Sequence, residues 1–82
     1  MENLQITLRA ARNNIGFSRK QAAVLFGLHE FFLQKWEADS SDVYRTFYLN
    51  IEKVYGVPVE NIYFGDEKEY HKNLREKLAV SV

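Results

Sequence analysis

Apolar residues recur along this chain at spacings of three and four, and glycines or short polar runs interrupt them. Leu8, Ala11, Arg12 and Ile15 fall on one helical face, as do Phe47, Ile51, Val54 and Tyr55 further on. Thr7 is placed to cap a first helix over Leu8–Ile15, which Gly16 ends. Ser18 caps a second, Arg19–Phe26, stopped by Gly27, and His29 opens a third over Glu30–Ala38. The polar run Asp39–Asp42 breaks that helix, and a fourth extends from about Tyr44 to Tyr55, ending at Gly56. Pro58 introduces the β-rich patch 57–64, where length and proline favour a single helical turn over Val59–Tyr63. Asp66 caps a last helix near Glu67–Ala79, leaving 80–82 as a tail. These signals predict an all-α fold with short connections: a five-helix domain over residues 1–65 and a C-terminal helical extension over residues 66–82.

The most informative stretch lies between Ser18 and Glu37. Two short helices meet there through Gly27-Leu28-His29. Ala23 stands four residues before Gly27, where a small side chain lets the next helix approach closely. Leu28, Leu33 and Trp36 are then expected on the inward side, which is the logic of a helix-turn-helix. Small helical bundles also use glycine turns, so this spacing alone suggests the motif without specifying it.

The order and spacing of a longer set of residues carry a resemblance. Leu8-Arg9-Ala10-Ala11-Arg12, Gly16-Phe17-Ser18, Ala22-Ala23, Phe26-Gly27-Leu28, Leu33, Lys35-Trp36-Glu37 and residues 51–57 together resemble the Cro/C1-type helix-turn-helix domain of phage repressors and bacterial regulators. Ile62-Tyr63-Phe64-Gly65 is similar to that family's closing segment, so the likeness covers residues 5–65. It implies core roles for Leu8, Ala11, Ala22, Ala23, Phe26, Leu28, Leu33, Ile51 and Val54. It also implies a charge pair between Arg12 of the first helix and Glu37 at the end of the third. Ser18 and Arg19 match the family's phosphate-contacting positions, with Lys20 nearby. His29, Glu30, Phe31, Gln34 and Lys35 match its base-reading positions, with Lys35 suited to guanine and Gln34 to adenine. The implied function is sequence-specific binding of double-stranded operator DNA, by a homodimer where the operator is palindromic. Glu30, Phe31 and Phe32 depart from the family's usual polar surface. They keep open a second reading, a protein-interaction module that contacts its partner through Phe31 and Phe32.

Composition sharpens the choice without making it. Eleven Lys and Arg balance eleven Asp and Glu among 82 residues, so there is no global positive charge to attract nucleic acid. Between residues 29 and 45, Lys35 and Arg45 face Glu30, Glu37, Asp39 and Asp42, which weakens phosphate attraction locally. Six Phe, five Tyr and one Trp supply core material and argue against disorder. The absence of cysteine excludes disulfides, thiolate metal sites and a cysteine nucleophile. His29 and His71 are far apart and no metal-ligand spacing or phosphate loop occurs, so neither catalysis, a metal nor a cofactor is expected. Glu2, Gln5 and Arg9 interrupt the N-terminus and no long apolar run follows, so a cytoplasmic setting without membrane contact is expected. Tyr70, Leu74 and Leu78 form a narrow apolar stripe on the last helix, suited to packing on the bundle or on a second copy.

Overall fold

The computed structural model describes residues 4–78, which fold into a mostly helical domain with one very small sheet. Five α-helices follow in chain order: α1 (Leu8–Ile15), α2 (Arg19–Phe26), α3 (Glu30–Ala38), α4 (Tyr48–Tyr55) and α5 (Glu67–Lys77). Four of the five starts, all but that of α4, are set locally by side chains that accept otherwise unpaired backbone N–H groups. Thr7 Oγ1 accepts from Ala10 N at 3.1 Å, and Asp66 Oδ1 accepts from Glu69 N at 3.1 Å. Ser18 and Gln21 form a reciprocal capping box, with Ser18 Oγ accepting from Gln21 N and Gln21 Oε1 from Ser18 N. His29 Nδ1 accepts from Phe31 N at 3.1 Å, which spends one ring nitrogen on the start of α3. Gly27 closes α2 at φ +70°, a left-handed conformation that side chains rarely adopt, and lets Leu28 N reach Ala23 O at 2.9 Å.

Three segments differ from the sequence expectation. The fourth helix begins as a 3₁₀ turn, Arg45–Phe47, and becomes α-helical at Tyr48, because neither Tyr44 nor Phe47 offers a side-chain cap. The stretch expected to be one helical turn over Val59–Tyr63 divides instead. Val59–Asn61 makes a 3₁₀ turn, and Ile62–Tyr63 forms a strand, β2, parallel to β1 (Ile6–Thr7). Ile6 pairs with Ile62 and Thr7 with Tyr63, so the partner that rescues this β-rich patch lies more than fifty residues upstream. The run Asp39–Asp42 does end α3, but as a 3₁₀ turn over Ser40–Asp42 with Ser40 buried. The last helix ends at Lys77, and the expected end at Ala79 and tail at 80–82 lie outside the described residues.

The core gathers Leu8, Ala11, Ala22, Ala23, Leu33 and Ile51 with Val43, Tyr55 and Ile62. Phe26, Trp36, Phe47, Val54 and Leu28 are half-buried around or beside it. Phe26 packs on Phe47 and Tyr55, each at 5.2 Å between ring centroids, and Trp36 meets Phe47 edge-on at 5.1 Å. Ser40 fastens the turn after α3 to the far side of the domain. Its N donates to Gly65 O at 3.0 Å, and its Oγ accepts from Gly65 N at 2.9 Å while donating toward Tyr63 O at 3.2 Å. A β-carbon at Gly65 would come within 2.7–2.9 Å of the hydroxyl end of the Tyr63 side chain, so a larger residue there would have to displace that phenol. Helix α5 docks in part through Tyr70, whose hydroxyl donates to Gln5 O at 2.6 Å and whose ring lies 5.1 Å from that of Tyr63. Along its apolar stripe Leu74 is half-buried, whereas Leu78 is exposed.

Candidate functional site

Helix α3 is the element on which the candidate residues converge, and its inner side is anchored by charge. The Glu37 carboxylate is fully buried. Arg12 Nε donates to Glu37 Oε2 at 2.6 Å and Arg12 Nη2 to Oε1 at 3.2 Å, a two-pronged pair. Arg12 Nη1 also donates to Phe17 O at 2.9 Å, which holds the loop between α1 and α2. The Arg12 guanidinium is held above its ordinary pKa, chiefly by the hydrogen bond to Glu37 and against the opposing effect of burial.

Two further arginines reach the same carboxylate. Arg19 Nε donates to Glu37 Oε1 at 3.2 Å, and Arg9 Nε lies 3.8 Å from that oxygen. Arg9 Nε stands 3.2 Å from Glu67 Oε2 on α5, close enough for an ion pair but not aligned as a hydrogen bond. Glu37 thus ties α1, α2 and α3 together, and Arg9 extends the cluster to α5. Tyr55 approaches the cluster from α4, and its buried hydroxyl has no hydrogen-bond partner among the described residues. Burial pushes the Tyr55 phenol well above its ordinary pKa, and the negative charge of Glu37 acts in the same direction.

The positions singled out in sequence fall into three groups. Ala23 and Leu33 are buried between α2 and α3, Leu28 and Trp36 are half-buried, and Gly27 makes the turn. His29, Glu30, Phe31, Gln34 and Lys35 lie on the exposed side of α3, with Phe31 57% and Phe32 53% accessible. Lys35 Nζ sits 5.7 Å above the Phe31 ring, so cation and aromatic share one surface. Ser18 is exposed at the start of α2, with its hydroxyl occupied by the capping box. Arg19 is half-buried, its Nε committed to Glu37. No hydrogen bond within the described residues uses its terminal nitrogens, so Glu37 orients a guanidinium that still has donors to offer.

Sequence reasoning anticipated a pair at Arg12 and Glu37 but missed the roles of Arg9 and Ser40. A signal for Arg9 was present, since it precedes Arg12 by one helical turn on the same face. Ser40 gave none, because its partners are backbone groups 23 and 25 residues away. Among the described residues no group of three or more His, Asp or Glu is placed to hold a metal ion. No described helix is long and apolar enough to cross a membrane. No protein-family model matches the chain, and no curated protein matches it.

Proposed function

We propose that this domain is a sequence-specific DNA-binding regulator of the Cro/C1 helix-turn-helix kind, of phage or prophage origin, acting in the cytoplasm without a cofactor. The observation that carries the reading is the pairing of α2 with α3. Ala23 and Leu33 are buried, while His29, Glu30, Phe31, Gln34 and Lys35 are exposed on α3. In this reading α3 enters the major groove, where Lys35 and Gln34 meet base edges and Phe31 packs on a thymine methyl. Arg19, already oriented by Glu37, turns its terminal nitrogens to a phosphate beside the start of α2. A homodimer on a palindromic site supplies the affinity that a neutral monomer lacks.

A specific observation favours a second reading. Phe31 and Phe32 are both more than half exposed, on a surface shared with Glu30, Asp39 and Asp42. That composition suits a protein partner better than a phosphate backbone.

Selection from a randomised duplex pool, followed by mobility-shift titration at low and moderate salt, tests the first reading. Enrichment of a defined site is the expected result. Lys35→Ala then loses about 1–3 kcal/mol of discrimination at one base pair. Arg19→Ala weakens all sequences alike and lowers the salt slope by about 1. A folded protein that binds no duplex at low salt overturns the DNA reading and selects the protein-interaction module.

A further inference from the structure

Beside the exposed face of α3, between that helix and the two 3₁₀ turns that follow, lies a groove of about 550 Å³. Phe32, Trp36, Tyr44 and Phe47 line it with aromatic rings, and Asp39 and Asp42 line it with carboxylates. Phe32 is 53% and Tyr44 70% exposed, so large apolar rings face water. Neither Asp39 nor Asp42 forms an ion pair among the described residues. Lys35 is the only cation on the lining, and its ammonium lies over Phe31, which is not part of the groove. Asp39 accepts a hydrogen bond from Ser41 N at 3.0 Å, which holds its carboxyl below the usual carboxylate range and keeps it charged at neutral pH.

We infer that this groove is a docking site for a partner protein, taking a lysine or arginine side chain flanked by apolar residues. The fit is chemical at both ends of such a side chain. Its methylene stem buries against the aromatic walls, and its charged head meets two unpaired carboxylates beside electron-rich ring faces. The volume suits one long side chain with part of its neighbours. A phosphate backbone or an acidic peptide would meet the same carboxylates as repulsion, so both are disfavoured occupants. The site shares Lys35 with the base-reading set and excludes His29, Glu30, Phe31 and Gln34, and its carboxylates Asp39 and Asp42 play no part in the DNA reading.

Trp36 is the single tryptophan of the chain and lies on the groove wall, so its fluorescence and its indole N–H resonance report occupancy directly. The probes are two capped pentapeptides, Leu-Lys-Leu-Lys-Leu and its counterpart with glutamine in place of lysine, titrated into the full chain. The lysine peptide is expected to saturate with a dissociation constant on the order of a millimolar. Amide shifts should centre on Phe32, Trp36, Tyr44 and Phe47, with the glutamine peptide about tenfold weaker. Asp39→Asn combined with Asp42→Asn should remove that preference while leaving the far-ultraviolet spectrum unchanged. Phe32→Ala, at an exposed position, should weaken both peptides. Equal binding of the two peptides, shifts centred elsewhere, or no saturable change overturns the proposal. Groove resonances that move with protein concentration alone, together with a dimer in sedimentation, show a second copy as occupant and also overturn it.

Discussion

The two sides of α3 invert the usual relation between polarity and burial. Its inner side buries Leu33 together with the charged Glu37, while its outer side exposes Phe31 and Phe32 beside Glu30 and Lys35. On the inside, the carboxylate is tolerated because Arg12 and Arg19 donate three hydrogen bonds to it and Arg9 adds charge at 3.8 Å. The outside has no comparable partner for its aromatic rings. A buried charge with a full set of partners is a structural device, whereas exposed apolar area without a cover points to something outside the domain.

The sharpest way to break this comparison is to remove the inner charge. Glu37→Ala leaves Arg12 with an uncompensated charge in a nearly dry site and should cost about 3–5 kcal/mol in urea denaturation. A loss below about 1 kcal/mol would show that the pair behaves like an exposed one. Ser40→Ala is expected next. It deletes the hydroxyl that accepts from Gly65 N and donates to Tyr63 O, and should cost about 1–3 kcal/mol by the same measurement. An unchanged midpoint would mean that water replaces the serine at no cost.

Tyr55 sharpens the inner side further, because its hydroxyl, like Arg9 Nε, is a buried polar atom with no hydrogen-bond partner among the described residues. Tyr55→Phe should leave stability within about 1 kcal/mol of the parent at neutral pH, or raise it. The pH dependence has a definite sign. The folded pKa is raised, so this contribution is fully present below the unfolded tyrosine value of about 10 and is lost as pH rises through the folded value. Stability of the parent should therefore fall above about pH 10 more steeply than that of Tyr55→Phe, as followed by thermal melts across the alkaline range. Identical slopes would mean that the phenol ionises equally in both states. The smallest effect belongs to the outer side. Phe31→Ala and Phe32→Ala should change the unfolding free energy by no more than about 0.5 kcal/mol while altering whichever binding the surface performs. A large loss of stability would mean that these rings pack within the domain after all.

Much of this arrangement is legible along the chain, and the readable part is the part with local causes. Thr7, Ser18, His29 and Asp66 cap helices within three residues of themselves, so their pattern announces each start. Gly16, Gly27 and Gly56 mark the ends of α1, α2 and α4 for an equally local reason. On the candidate site, the exposed positions of α3 follow from helical periodicity once Leu33 is known to face inward. Leu28 is less buried than its apolar character suggests, and Ile15 ends exposed although it continues the face of Leu8 and Ala11. Periodicity assigns a face but not how far the neighbouring element extends to cover it.

The sequence by itself therefore determined α1, α2 and α3 with their caps, the capped start of α5, and the turn that brings α2 against α3. Each depends on a few adjacent residues and on backbone groups that must be satisfied close by. Only the tertiary structure decided that Ile62–Tyr63 is a strand, because its partner Ile6–Thr7 is brought beside it by the packing of everything between. It likewise decided that Arg9, Arg12 and Arg19 share one carboxylate, that Ser40 is buried, and that four aromatic rings and two acids line one groove. Charge and polarity are written in the residue, but burial and partnership come from distant segments, whose positions are fixed only once the whole core has closed.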